Sequence, residues 1–382
     1  MHSKTSALGV KKILITDTDN GIINNEFTYI LGFWVSLWGI ILDKKEIKII
    51  LDGRYFWQTK NIDKAKLRKR IWENLKVTYI HLKWKLTDEI LKQTKNSKIK
   101  LENNITLKYY EEIKKKHKWD IKISKPFFEK NRIIKQIDEI KYLKKAIQII
   151  DKVWIEIEKQ AKSWDIIWKT EAEVRAIIVT KILELWWEWE SFEAIVAFWP
   201  NSAVPHHKAW ETIIWNGPLL VDMWALYKWY CSDFTRTIWI WNPSPTLPLS
   251  REGENKTSPL TRGEWGGFEE FQKIYNSVKK AYQKALEYAK PWVKGKDIDS
   301  AARKSIEQDW YWKYFTHSTG HGVGLNIHED PRISKKWNNT IKENMVFTIE
   351  PGIYLPWKFW VRLENIVFAQ KNWVKCYSEI KL

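Results

Sequence analysis

Glycine is scarce: the 382-residue chain has 15, with none from residue 54 to residue 216, where about 11 are expected at the usual frequency of about 7%. Turns that need positive φ call for glycine, so over this span some other residue must stand at them. Cysteine is rarer still. Cys231 and Cys376 are the only two, which excludes a disulfide framework and fits a reducing compartment. No stretch approaches the roughly 18 uninterrupted apolar residues of a membrane-spanning helix, and MHSKTSALGV lacks the apolar core and cleavage site of a secretory leader. The expectation is a cytoplasmic protein with no membrane partner. At 44% hydrophobic and 29% charged, the composition is that of a globular chain long enough for two domains.

Tryptophan is what the chain has in excess. There are 27, of which 13 fall inside the glycine-free span. Many stand in polar, turn-like settings such as LELWWEWESF, KAWETIIWNGP and KPWVKGKDID, where positive φ is useful and an indole is not. The pattern points to a gene that reads UGA as glycine, rendered here with UGA as tryptophan; the richness in Lys, Ile and Asn fits an A/T-rich gene. A genuinely Trp-rich protein is the competing reading.

The formal charge of +18 invites a nucleic-acid reading. Residues 1–132 carry 29 Lys and Arg against 15 Asp and Glu, so most of the excess lies in the N-terminal third. There the lysines are scattered among Ile and Asn, apart from KAKLRKR at 64–70 and KKKHK at 114–118, without aromatic-interleaved motifs. A solvated basic face is expected, and no nucleic-acid partner.

Residues 26–57 read as strand, turn, strand, with GIILD and IKIILD joined by KKE, and residues 60–118 alternate amphipathic and short apolar segments. This predicts an α/β first domain over 1–132. A second domain, 133–382, opens with a long helix whose Ile137, Ile140, Leu143, Ile147 and Ile150 share a face. A second helix starts with a Thr170–Glu173 capping-box pattern. Strands SFEAIVAF, GPLLVDMWALY and SDFTRTIWIW follow. Residues 242–267, with four Pro and four Gly, read as a disordered insertion. Two further helical segments then lead to strands MVFTIEPGIYL and VRLENIVFA.

Five residues stand where an uncompensated charge is costly: Asp222 in LLVDMWA, Asp233 in DFTRTI, His321 in GHGVG, Glu350 ending VFTIE and Glu364 in VRLENIVF. Only Arg236 and Arg362 lie near them in sequence as counter-charges. One or two metal ions are the economical solution, and carboxylates with one imidazole suit Mn²⁺, Co²⁺, Fe²⁺ or Zn²⁺. Cys231 lacks an activating histidine pattern and reads as a packed thiol.

The segments WPNSAVPHH, LLVDMWALYKWYCSDFTRT, HSTGHGVGLNIHEDP and FTIEPGIYLPWKFWVRLEN resemble, once glycine is read at their tryptophans, those of the pita-bread metallopeptidases, in particular the Xaa-Pro aminopeptidases and Xaa-Pro dipeptidases. The DGRYF turn at 52–56 is similar to one in their creatinase-like N-terminal domain. The resemblance implies an α/β creatinase-like domain followed by an α+β pita-bread catalytic domain. It implies two divalent ions, with manganese expected first: Asp222 chelating one, Asp233 and Glu364 bridging, and His321 and Glu350 completing the second. A metal-bridging hydroxide would attack the scissile carbonyl, and Glu350 would pass a proton to the leaving amine.

By the same resemblance His317, His328 and His206 would contact the substrate, while His207 is less clearly placed. Arg362 would orient the carboxylates and Tyr354 would contribute to the pocket. The implied substrates are peptides with proline second, and homodimers are frequent in the family. The leading expectation is an aminopeptidase that releases the residue before proline. A dipeptidase is the alternative, and a non-catalytic pita-bread binding module a third reading that the retained ligands disfavour. Trp224, Trp229, Trp357 and Trp360 crowd these motifs as written.

Overall fold

The computed structural model describes residues 10–17, 25–32, 36–54, 56–71, 75–95, 97–186, 193–204, 207–242 and 263–382. The chain divides into two compact units, Met1–Arg132 and Ile133–Leu382.

The first unit is built on a six-stranded mixed sheet in the order β4-β3-β2-β1-β5-β6. Its strands are β1 (Val10–Asp17), β2 (Leu37–Leu42), β3 (Glu46–Asp52), β4 (Lys76–Leu82), β5 (Lys98–Glu102) and β6 (Ile121–Ser124). The hairpin expected from GIILD and IKIILD is present, with β2 and β3 paired antiparallel and Ile40 opposite Ile49, but the start of the stretch read as strand is helical, Asn25–Leu31 forming α1. The Asp43 carboxylate caps the turn by accepting the amides of Lys45 and Glu46 at 2.9 and 3.1 Å. Pairs β3/β4, β1/β5 and β5/β6 run parallel, and helices α1 (Asn25–Leu31), α2 (Lys64–Arg70), α3 (Leu86–Thr94) and α4 (Leu107–Lys116) intervene along the chain. This is the α/β pattern expected from the alternation over 60–118.

Two buried carboxyl groups meet in this unit. Glu26, on α1, accepts the Phe128 amide at 2.9 Å, and Glu102, on β5, accepts the Phe127 amide at 2.8 Å. The two side chains also bond to each other. Burial first, then the bond to and charge of Glu102, push Glu26 up to about 9, against the opposing pull of Arg132. Native Glu26 therefore keeps a proton that the unfolded chain loses near its ordinary value. Its contribution to stability is full below about pH 4.5 and is lost as pH rises toward 9, at up to about 1.4 kcal/mol per pH unit. Glu26→Gln keeps a donor for Glu102 without the ionisation. It is expected to lower stability little at pH 5 and to raise it at pH 9, read from thermal midpoints; a variant with the parent's pH slope refutes the assignment.

A short helix α5 (Glu129–Ile133) spans the division between units. The second unit repeats one plan twice. In its first half α6 (Ile137–Lys162) and α7 (Glu171–Leu185) pack on an antiparallel sheet ordered β11-β8-β7, made of β7 (Ile195–Phe198), β8 (Gly217–Met223) and β11 (Phe234–Ile240). A short hairpin, β9 (Leu226–Tyr227) and β10 (Tyr230–Cys231), lies between β8 and β11 in sequence. In its second half α8 (Gly263–Tyr288) and α9 (Gly295–Gln308) pack on a sheet ordered β13-β12-β14-β17-β18. Its strands are β12 (Gly320–Gly322), β13 (Glu329–Ile333), β14 (Val346–Ile349), β17 (Asn365–Ala369) and β18 (Val374–Cys376). A separate hairpin joins β15 (Gly352–Tyr354) to β16 (Trp360–Arg362).

The capping box of α7 forms as its sequence predicts: the Glu173 amide donates to Thr170 Oγ1 at 3.1 Å, and Glu173 accepts the Thr170 amide at 2.7 Å. The face expected on α6 needs correction at its start, because Ile137 is 71% exposed. In that first turn the inward position is held by Glu139, which accepts the Tyr230 hydroxyl at 2.9 Å, and the apolar face begins at Leu143. Helix α8 also begins inside the segment expected to be a disordered insertion, so residues 263–267 are helical; residues 243–262 lie outside the described ones. Among the described residues no helix is long and apolar enough to cross a membrane.

Candidate metal centre

The two sheets of the second unit bring the five predicted residues together. Asp222 lies on β8, the central strand of its sheet, and Asp233 immediately precedes β11. His321 is the middle residue of β12, Glu350 follows β14, and Glu364 sits at the break between β16 and β17. The glycines around His321 have a steric cause. A Cβ on Gly320 would lie 2.0 Å from the Thr348 carbonyl oxygen, and one on Gly322 2.2 Å from that of Asp330. The flanking strands approach β12 more closely than any side chain allows.

Ligand-type atoms of Asp233, His321 and Glu364 all lie within 4.8 Å of one another. His321 Nε2 is 3.5 Å from Asp233 Oδ2 and 3.1 Å from Glu350 Oε1. His321 Nδ1 lies 3.1 Å from the Gly322 carbonyl, which leaves Nε2 turned into the cluster. Thr235, opposite Asp222 in the β8/β11 register, places its hydroxyl 3.1 Å from Asp222 Oδ1 and 2.5 Å from Glu364 Oε2. Arg362 donates Nη2 to Asp222 and Nε to Thr235 Oγ1 at 3.0 Å.

Four carboxylates, three of them buried and Glu350 partly so, are thus gathered with one guanidinium in hydrogen-bond contact. Arg236, which the sequence offers as a second counter-charge, faces away: its Nη1 bonds the main-chain oxygens of Thr235 and Glu364 and its Nη2 the Asn365 side chain. Successive strand residues point to opposite faces, so Thr235 and Arg236 cannot both face the cluster. The protonation equilibria register the charge excess. Burial raises Asp222 despite Arg362. Burial, followed by repulsion from Glu364 and Asp222, raises Asp233 well above the carboxylate range, and burial with Glu350 and Asp222 does the same to Glu364. At Glu350 burial is outweighed by His321, which holds it down to about 2. Glu364 Oε1 is buried with no hydrogen-bond partner among the described residues. An orphaned carboxylate oxygen within reach of an imidazole and another carboxylate fits a divalent cation, so the donor set passes the test of chemistry as well as of distance.

The cluster forms the floor of a cavity of about 550 Å³. His317, His328, Tyr354 and Arg362 line it alongside apolar residues such as Ala197 and Leu220. Both ring nitrogens of His317 are engaged: Nδ1 with the Ser318 carbonyl at 2.7 Å and Nε2 with the Tyr354 hydroxyl. Burial lowers its pKa to about 4, so the ring is neutral near pH 7. His328 stands edge-on to His321, with ring centroids 4.4 Å apart. His206 lies outside the described residues. His207 turns to a different task, pairing through Nε2 at 2.7 Å with the fully buried Glu171, which also accepts the Phe198 amide. Cys231 is buried, as a packed thiol should be. Trp224 is buried against the cavity, and Trp360 stacks edge-on upon Tyr354 with centroids 4.1 Å apart.

Residues 141–371 match metallopeptidase family M24. The chain is 36% identical over 294 residues to an Xaa-Pro dipeptidase of Pyrococcus horikoshii, covering 76% of each chain. Among solved structures, the X-Pro aminopeptidase of Thermotoga maritima superposes with a TM-score of 0.78 at 27% identity, covering 98% of this chain and 96% of that one. The prolidase of Pyrococcus furiosus gives 0.79 at 29% identity, covering 97% of each. The chain belongs to metallopeptidase family M24: it is a hydrolase with an α/β N-terminal domain and a pita-bread catalytic domain.

Proposed function

We propose that this chain is a cytoplasmic Xaa-Pro aminopeptidase that works with two divalent ions, Mn²⁺ first among them, and releases the residue preceding proline. The observation that carries the reading is the gathering of four carboxylates, three of them buried, with an imidazole against one guanidinium. Counted with Arg362, the carboxylates leave three negative charges. One divalent ion leaves the cluster anionic, whereas two leave a single positive charge, which suits carbonyl polarisation.

Asp222 would hold one ion, Asp233 and Glu364 would bridge, and His321 with Glu350 would complete the other. When bound, the pair supplies Lewis-acid polarisation and an acidified water. Glu350 accepts the proton released in the attack and returns it to the departing amine. Arg362 and Thr235 keep Asp222 and Glu364 oriented. Neutral His317 and the Tyr354 hydroxyl it fixes face the substrate together, with His328 and His206 as further contacts.

The roomy cavity supports acceptance of peptides longer than two residues. A dipeptidase is the second reading, favoured by the Pyrococcus horikoshii relative. Metal-stripped protein given Mn²⁺ is expected to cleave an Xaa-Pro-Yaa tripeptide. Cleavage confined to an Xaa-Pro dipeptide establishes the second reading, and no cleavage of either with metal bound overturns both.

We further propose that the native chain carries glycine at tryptophans 164, 168, 229, 292, 310 and 357, through UGA read as glycine. All six have φ between 64° and 74°, and among the described residues Lys228 and Asn344 are the other non-glycine residues with positive φ.

A further inference from the structure

Residues 315–319 lead into β12 and belong to no strand, yet they carry His317 and set the start of the strand that carries His321. An ion pair one helical turn apart on α9 grips them. Asp299, fully buried, accepts Arg303 Nε at 2.7 Å and Nη2 at 3.2 Å. The same carboxylate takes the Thr319 amide at 3.1 Å and the Thr319 hydroxyl at 2.8 Å. Arg303 also donates Nη1 to the Phe315 carbonyl at 3.0 Å and Nη2 to the His317 carbonyl, with its guanidinium over the Phe315 ring at 4.3 Å. Residues 315, 317 and 319 are thus held at alternate positions by one side-chain pair. The Thr319 carbonyl in turn accepts the Glu350 amide at 2.8 Å.

We propose that Asp299 and Arg303 are positioning residues for the hydrolytic reaction: their pair sets the backbone that presents His317 to the substrate and Glu350 to the metal site. The inference rests on the peptidase reading above. A buried ion pair adds little net stability compared with apolar packing of the same volume, whereas a planar five-donor fork can hold two carbonyls and a carboxylate in one fixed geometry. Lysine, with a single ammonium, cannot reproduce that fork. Displacing a reacting group by about 1 Å costs about a hundredfold in rate, so fixing this segment is worth a residue pair that touches no substrate.

The test uses the metal-loaded protein and Arg303→Ala, Arg303→Lys and Asp299→Asn variants, assayed well below their melting temperatures. Arg303→Ala is expected to lower kcat by about a hundredfold, with KM within about threefold and bound metal unchanged. Added guanidinium ion should restore part of the lost kcat. Arg303→Lys should keep the thermal midpoint but recover little of the rate, and it stands in with Asp299→Asn should the alanine variant not fold. Hydrogen exchange over 315–320 should quicken in every variant. A kcat within twofold of the parent's in the folded variants overturns the proposal. A parent that cleaves no Xaa-Pro peptide overturns the functional reading instead; the clamp is then judged on exchange alone, and unchanged protection over 315–320 refutes it.

Discussion

Asp233→Asn is expected to reduce kcat by about a thousandfold or more while making the metal-free protein more stable. The two effects have one cause. Asp233 is raised well above the carboxylate range, first by burial and then by the charges of Glu364 and Asp222. Without metal, the native chain holds a proton there that the unfolded chain gives up near the ordinary value, so its stabilising contribution is present at low pH and lost as pH rises. Asparagine cannot ionise and escapes that loss. With metal the sign reverses, since the site loses the carboxylate that would bridge the ions and, with it, the polarisation on which hydrolysis depends. Thermal midpoints at pH 5 and pH 8, in chelator and in Mn²⁺, separate the terms. In chelator the parent should melt lower at pH 8 than at pH 5, and the variant should gain on it by about 2–4 °C or more, the shift that about 1 kcal/mol produces in a domain of this size. In Mn²⁺ the parent should gain more than the variant. A variant retaining a tenth of the parent's kcat, or one less stable than the parent in chelator at pH 8, refutes the bridging assignment.

The five residues of this site are legible in the sequence because each breaks a local rule: a carboxylate or imidazole within or at the edge of an apolar segment costs free energy that needs a compensating partner. Thr235 and Thr348 give no such signal. Threonine is an ordinary strand residue, and Thr235 gains its role only from the register that sets it opposite Asp222. Thr348, which accepts the His321 amide at 3.1 Å and donates to Glu350 at 3.0 Å, depends likewise on pairing across the sheet. Arg236 misleads for the opposite reason, since closeness in sequence suggests a counter-charge that strand alternation points elsewhere. The fold is readable where periodicity and capping agree, as in α7. It is obscured at 263–267, where three glycines following a proline-rich stretch outweigh the start of the amphipathic pattern that α8 continues. Glu171 stands out only as a first-turn acid, and its bond to His207, 36 residues away in sequence, is a product of tertiary packing.

Replacing tryptophans 164, 168, 229, 292, 310 and 357 with glycine is expected to stabilise the protein by far more than Asp233→Asn does. Each occupies a turn whose chemistry asks for glycine. Trp229 is the second central residue of the β9/β10 hairpin, where Lys228 and Trp229 both have positive φ, as a type I′ turn requires. Trp292 and Trp357 follow prolines, in turns closed by Val293 N–H to Lys290 at 3.2 Å and Lys358 N–H to Leu355 at 3.2 Å; this is the proline–glycine pattern of a type II turn. Trp168 holds the same third position in the turn closed by Lys169 N–H to Ile166. Trp310 ends α9 with its N–H on Glu307 and that of Tyr311 on Ile306, the paired bonds of a Schellman motif, and Trp164 follows the C-cap of α6. Left-handed backbone costs a residue with a Cβ roughly 1–2 kcal/mol, so six such positions together cost about 6–12 kcal/mol against a total stability of about 5–15 kcal/mol. Burial does not offset this: Trp292, Trp310 and Trp357 are 75%, 79% and 91% exposed. A chain with tryptophan at all six positions is therefore expected to be barely stable, and the glycine-substituted chain to unfold at clearly higher urea. The same reasoning predicts native peptides whose masses carry glycine at these positions. Indole masses at residues 229, 310 and 357 in native peptides, or a glycine-substituted chain no more stable than the tryptophan one, overturn the recoding.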